Sequence, residues 1–405
     1  MNRLRIIIWG VGKLYSFVKQ QIDDGKAEII GVVDSDIYKK MPDMERLYKP
    51  VDIKDLEFDA IIISTKKYSD INQVAESLGI PKNKLYSYWN LSEDIPFVYD
   101  REKAFIDSTL NNIKLQNRLE CLPYELEVKA SPIIKSGEEL LKKIIEDKTS
   151  LTRFGDGEFE MMRMNSRPWF QVPDLSLSKR LKEIVKSDSK KINVAIAQNF
   201  KNLDLLKDDC ADICREYMAG GTAESIIEMI DINKTYYDAY VTRPYILYKE
   251  RKNADIIFSL FKKLWANRNL IIVEGELSRF AVGNDLLDNA NSIKRIICPV
   301  KNAWSKYEEI KNAVLKLVQN NDLVLITLGP TATVLAYDLA MEDIQAIDIG
   351  QLDNEYEWYL KGAQTRTPIT GKLVAEVLDN NGNAVIDGKE VVNDKYQSEI
   401  HAKVL

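Results

Sequence analysis

Histidine is nearly absent: the 405 residues contain one, His401. That removes Ser-His-Asp and Cys-His nucleophile pairs and the HExxH metalloprotease pattern, and leaves a carboxylate as the natural general base. Cysteine is scarce too, with Cys121, Cys210, Cys214 and Cys298 too few for a disulfide framework in a chain this long. Cys210 and Cys214 are spaced as neighbours on a helix, but no histidine or CxxC completes a zinc set. Long apolar runs are missing: Ile6 to Val11 and Leu323 to Leu328 fall far short of the roughly 18 residues a spanning helix needs, so no transmembrane segment is expected. Arg3 and Arg5 are followed by a strand-like run and a glycine turn instead of a signal-peptide core, which predicts a cytoplasmic location. A basic surplus is also missing, with 56 Lys and Arg against 62 Asp and Glu for a net charge of −6. Nucleic acid is therefore not an expected partner.

What is present is alternation of strand and helix. Ile6 to Trp9, the turn Gly10-Val-Gly12, an amphipathic run to about Ile22 and the strand Glu28 to Val33 form a βαβ unit. Asp59 to Ser64 reads as a third strand and Asn72 to Leu78 as a helix, giving a small Rossmann-like module over 1–98. Residues 99–130 read as a helical linker, with Leu110, Ile113, Leu115 and Leu119 near helical spacing and Pro123 interrupting it. From 131 to 405 a second doubly wound α/β domain is predicted. Its helices are Ser136 to Ile145, Ala254 to Trp265 and Trp304 to Val318. Its strands are Leu151 to Phe154, Asn193 to Ala197, Leu270 to Glu274, Arg295 to Pro299, Leu323 to Leu328 and Ala346 to Ile349. Such continuous apolar runs suit parallel strands covered on both faces. Asn380 to Asn383 reads as a turn before a polar tail with a short final helix.

Four segments carry candidate chemistry. Gly10, Gly12 and Asp34 fit a dinucleotide turn, but Tyr15 replaces the third glycine; the other reading is a tight turn without a cofactor. In Thr152 to Glu160, extended backbone would aim Asp156 and Glu158 the same way, with Gly155 and Gly157 leaving room for phosphates and Arg153 offering a fork. Two converging carboxylates suit Mg²⁺ or Mn²⁺; a turn with solvated acids is the alternative. Val273-Glu274-Gly-Glu276 is a second acidic strand end, followed by Arg279, Asn284 and Asp285. Leu328-Gly329-Pro-Thr331-Ala-Thr333 enters a helix, where the threonines serve either as caps or as anion contacts. The acids and aromatics from Asp348 to Trp358 suit an acceptor site or the core.

RFGDGE at 153–158, VEGELSRFAVGNDLLDN at 273–289, RIICPVKNAW at 295–304 and LGPTATVLAYDLA through AIDIGQLDNEYEW at 328–358 together resemble the GT-D-type bacterial glycosyltransferases. The resemblance implies a Rossmann-like GT-D fold, a UDP-sugar donor with UDP-glucose the usual case, and a DxE metal motif on Asp156 and Glu158. It also implies a glycan acceptor on protein or a lipid carrier, in surface glycoprotein or polysaccharide synthesis. Two positions depart from the family pattern: Gln351 stands where it has His, and Leu373 where it has Tyr. The first module resembles, more loosely, the WGxG Rossmann-like modules attached to sugar-processing enzymes.

The expected reaction is hexosyl transfer with Mn²⁺ or Mg²⁺ on the donor diphosphate. Candidate donor contacts are Arg153, Phe154, Gly155, Gly157, Arg243, Arg279, Asn284, Gly329, Thr331 and Thr333, and candidate proton acceptors are Glu274, Glu276, Asp285 and Asp353. A homo-oligomer is compatible with the sequence. Two rivals remain: an NAD-dependent nucleotide-sugar oxidoreductase using Gly10, Gly12 and Asp34, and a scaffold that binds sugar nucleotide without turnover.

Overall fold

A computed structural model describes residues 3–34, 46–66, 68–91, 95–98, 100–165, 171–378, 384–386 and 394–405. The chain divides into two compact units, one of residues 1–113 with 378–383, the other of 114–377 with 384–405. The division falls inside the helix Asp100–Glu125. That helix continues through Pro123, which sits in its last turn, so the predicted interruption does not occur there. Its leucines keep their helical spacing but are exposed, Leu119 at 61%; among the described side chains Cys121 and Tyr124 are buried in the core of the second unit.

The first unit contains β1 (Leu4–Trp9), β2 (Ala27–Val33), β3 (Leu47–Tyr48), β4 (Ala60–Ile63) and β5 (Leu85–Ser87), in the order β3-β2-β1-β4-β5. All its pairs are parallel. Helices Tyr15–Gln20 and Tyr68–Ser77 form crossovers. Successive residues of β1 alternate between two buried clusters, Ile6 and Ile8 in one, Ile7 and Trp9 in the other, as a strand covered on both faces requires.

The second unit carries β6 (Ile133–Lys135), β7 (Ser150–Phe154), β8 (Ile192–Ile196), β9 (Thr235–Asp238), β10 (Asn269–Gly275), β11 (Ser292–Cys298), β12 (Leu323–Thr327), β13 (Ala346–Asp348) and, at the end of the chain, β16 (Ile400–Lys403). They form one sheet in the order β16-β11-β10-β12-β13-β7-β8-β9-β6, with every pair parallel. A separate two-stranded sheet pairs β14 (Leu373–Leu378) with β15 (Ala384–Ile386). Helices Asp156–Arg163, Leu175–Val185, Tyr307–Leu317 and Pro330–Met341 cover one face, and Gly137–Asp147 and Arg251–Trp265 the other. Ile271 and Val273 face the first layer, Leu270 and Ile272 the second. The Gly137–Asp147 helix starts with a reciprocal cap, Ser136 Oγ accepting from the Glu139 amide while Glu139 accepts from the Ser136 amide.

The joints of this sheet are unequal. β7 and β8 pair over five register positions, whereas β7 and β13 share one, Ile347 with Leu151. Side chains stitch that seam instead: Ser150 Oγ accepts from the Ala346 amide at 3.0 Å, and Gln345 Nε2 donates to the Thr149 carbonyl at 3.0 Å. The turn expected at Asn380 to Asn383 lies outside the described residues. The tail contains the expected short helix, Asp394–Glu399, and it runs directly into β16.

Candidate active site

Ligands of open parallel sheets gather at the C-terminal ends of the strands, so the site is sought where β7, β10, β12 and β13 end. β7 is buried up to Phe154 and gives way at Gly155 to the helix Asp156–Arg163. Asp156 and Glu158 therefore lie in a first helical turn, not in extended backbone, which corrects the alternation argument. Glu158 instead folds back so that its Oε2 accepts the Gly155 N–H at 2.8 Å, as an acid three residues beyond the cap does. Asp156 stays exposed at the helix start, where the unpaired amides favour negative charge. Gly157 is exposed with open space around it, whereas Phe154 is fully buried against Phe159 and belongs to the core.

Glu158 is half-buried as a residue, but its carboxyl end is enclosed. That burial, reinforced by the charges of Asp348 and Asp156, pushes it up to about 7, against the opposing pull of the Gly155 amide and Arg153. Negative charge is in excess here.

Arg153 leaves β7 one residue before its end and is spent on β13. Its Nη2 donates to Asp348 Oδ1 at 2.7 Å and its Nε to the Asp348 carbonyl at 2.9 Å. Asp348 is buried, which raises its carboxyl, while Arg153 draws it back. Thr333 donates from Oγ1 to the Arg153 carbonyl, and Thr152 from Oγ1 to the Thr333 carbonyl, at 3.0 and 2.8 Å. These bonds tie the end of β7 to the helix Pro330–Met341, which opens with proline in its first turn as predicted. Thr331 is fully buried, its hydroxyl without a hydrogen-bond partner among the described residues, while Gly329 is exposed just before the helix.

The remaining candidates are mostly engaged by partners of their own. Glu274, at the end of β10, is fully buried, accepting from Arg295 Nη1 at 2.7 Å and from the Phe280 amide at 2.6 Å; Arg295 also binds Glu399. Asp353 is buried and accepts from Lys372 Nζ and Asn284 Nδ2 at 2.6 and 2.8 Å, with Glu357 sharing both donors. Asp285 is held by Lys262 and the Tyr356 hydroxyl, which lower its carboxyl below the ordinary range. Arg279 donates to the Gly371 carbonyl, and Arg243 closes the short turn after β9, half-buried. Glu276 is exposed. Gln351 accepts from Asn354, and the Leu373 amide donates to the Leu277 carbonyl.

Sequence reasoning passed over Lys372 and Asp238, and placed Asp348 in an acceptor segment without seeing its tie to Arg153. The signal for Asp348 and Asp238 was an acid closing a strand, the feature that had singled out Glu274. Asp238, at the end of β9, accepts from the Tyr240 amide and the Tyr248 hydroxyl, and burial pushes it up to about 6. Among the described residues no three His, Cys, Asp or Glu side chains form a ready-made metal cage. A cavity of about 530 Å³, lined by residues such as Glu309, Lys316 and His401, includes none of these acids.

The chain is similar to known proteins in sequence and fold. The family model described as glycosyltransferase GT-D fold matches residues 151–377, and one described as C2185-like, N-terminal matches residues 2–86. The chain is 37% identical over 246 residues to the probable glycosyl transferase Gly of Streptococcus gordonii, covering 60% of this chain and 35% of that protein. It is 36% identical over 277 residues to the glycosyltransferase GlyD of Streptococcus pneumoniae serotype 4, covering 67% and 32%. The chain thus spans about a third of the length of these curated relatives. A solved structure described as the highly conserved domain of unknown function 1792 with a distinct glycosyltransferase fold aligns with TM-score 0.63 at 34% identity, covering 68% of this chain and 96% of that one. A second, described as a new glycosyltransferase from Streptococcus sanguinis, aligns with TM-score 0.62 at 36% identity, covering 68% and 100%.

Proposed function

The chain belongs to the glycosyltransferase GT-D fold family, and from that premise we propose that it transfers a hexosyl group from a UDP-sugar, with UDP-glucose the first donor to test, to a glycan acceptor on protein or a lipid carrier. The observation that carries this reading is the carboxylate pair at the end of β7, with Asp156 exposed and Glu158 pushed up to about 7 by burial and by neighbouring negative charge. Two hard oxygen donors in a region of excess negative charge suit Mg²⁺ or Mn²⁺, which takes one or two carboxylates and completes its coordination with phosphate and water. Asp156 and Glu158 would hold that ion, whose charge when bound neutralises the diphosphate as it leaves.

The chain's own groups supply the rest. Gly157 leaves the approach beside the pair open, and the exposed Gly329 admits an anion toward a helix N-terminus. Of the candidate proton acceptors, Glu274 and Asp353 are committed to buried cations and Asp285 to Lys262. That leaves the exposed Glu276 as the first acid to vary.

The test is UDP release from a panel of UDP-sugars with glycan acceptors, in Mn²⁺ or EDTA, for the wild type and the Asp156→Ala, Glu158→Ala double variant. Metal-dependent release from one donor, reduced by about 10²–10³-fold or more in the double variant, is expected. Donor binding without release from any member of the panel would favour the scaffold, and release indifferent to both EDTA and the double variant would sink the metal assignment.

A further inference from the structure

The seam between β7 and β13 is the weakest backbone joint in the nine-stranded sheet, with a single register pair at Leu151, and β7 runs on from it through Phe154 to the carboxylate pair. Ladder hydrogen bonds cannot fix the ends of these two strands relative to one another. Arg153 does so with its side chain. Its two donors meet the carbonyl and the carboxylate of Asp348, a forked contact that sets distance and orientation together. The same Asp348 carboxylate accepts the Gly350 N–H at 3.2 Å, so one acid fixes both the arginine and the turn that follows β13.

Gly350 makes this geometry possible. A Cβ at that position would lie 2.7 Å from the guanidinium carbon of Arg153 and 3.0 Å from Nη1, well inside contact distance. The guanidinium occupies the space a side chain would take. Gly350 also has φ +43°, which a side chain resists. The backbone therefore favours glycine, and a side chain there fits only if the guanidinium leaves its seat.

We propose that Arg153 is a positioning residue, not a donor-phosphate contact: seated on Gly350 and forked onto Asp348, it locks the end of β7 so that Asp156 and Glu158 are presented in a fixed register. Its own carbonyl, held by Thr333, extends the lock to the helix Pro330–Met341. Arg153 precedes Asp156 by three residues, so a slip of the strand end is passed directly to the acids. The role of the acids rests on the function proposed above; the lock itself is a statement about the strand ends and is measured without turnover.

The experiment compares Arg153→Met, Arg153→Lys, Gly350→Ala and the Arg153→Met, Gly350→Ala double variant with the wild type in the full-length chain. Hydrogen exchange of the residue 151–155 amides is expected to speed up more than tenfold in every variant, with β10 amides unchanged. On the donor identified above, kcat is expected to fall about 30–100-fold with donor KM within threefold, as misplacement of catalytic groups produces. Arg153→Lys keeps the charge but not the fork and should not rescue, and the double variant should be no worse than either single change. Four results would each overturn the proposal: a tenfold rise in donor KM with kcat preserved, a harmless Gly350→Ala, unaltered exchange at 151–155, or unchanged kcat per folded molecule. If the exchange changes appear in a protein that turns over no donor, the lock stands and the proposed reaction falls.

Discussion

At the C-terminal edge of the five-stranded sheet, polar groups answer one another. Asp34 Oδ2 accepts the Val11 N–H of the glycine turn at 2.9 Å, and Ser64 donates its hydroxyl to the Gly10 carbonyl. Asp34 is the acid a dinucleotide ribose would seek, and it is engaged by the turn itself. The corresponding edge of the nine-stranded sheet divides its acids into two kinds. Glu274 and Asp353 are buried against Arg295 and Lys372, while Asp156 and Glu158 form no ion pair with a cation among the described residues. Similar winding thus yields one edge whose described polar groups pair among themselves and one with charge in reserve for a ligand. The lesson is that topology marks where to look, and the pairing of each carboxylate tells what is available there.

The largest effect expected from breaking this contrast is at a paired acid. Arg295→Met strands Glu274 in a buried position and should destabilise the chain by about 3–5 kcal/mol, read as a lower urea midpoint, while adding Glu274→Leu should recover part of the loss. Asp34→Asn, at the partly buried edge of the smaller sheet, should cost no more than about 1 kcal/mol. Equal losses at the two sites would abolish the distinction.

A second, smaller effect concerns Asp238. Its folded carboxyl is raised to about 6 from 3.8, so the folded state holds the proton more tightly than the unfolded one. The associated stability is full below about pH 4 and is lost as pH rises through about 6. Asp238→Asn mimics the protonated acid and should raise the melting temperature at pH 8, by the equivalent of on the order of 2 kcal/mol, with the advantage vanishing near pH 4. A constant difference across that range would mean that burial does not control this group.

The smallest contrast is between two glycines of the N-terminal turn. Gly10 has φ +113° and a Cβ there would approach Ser64 Oγ to 3.1 Å, whereas Gly12 faces open space. Gly10→Ala should cost about 1–2 kcal/mol in thermal unfolding and Gly12→Ala less than about 0.5 kcal/mol.

Much of this was legible in the sequence where the chemistry was local. The long apolar strands were located to within a few residues, β10 and β12 among them, because burial on both faces leaves a continuous run. β6 and β16, the two outer strands, escaped notice. Their sequences, IIK and IHAK, are short, and they become strands by pairing with β9 and β11. β9, TYYD, was missed for the same reason. At the site, the segment containing Asp156 and Glu158 stood out, but its geometry was misjudged. The acid three residues after Gly155 was itself the sign of a helix start. The fates of Arg153, Glu274 and Asp353 could not be read locally, since their partners lie 195, 21 and 19 residues away.

The Arg153–Asp348 contact also bears on when the protein becomes active during its own synthesis. The two halves of the lock are made far apart in time, because the ribosome completes β7 long before it reaches β13. Until Asp348 and Gly350 have emerged, the end of β7 has nothing to seat against. A nascent chain with both carboxylates already translated therefore still lacks the contacts that seat the end of β7.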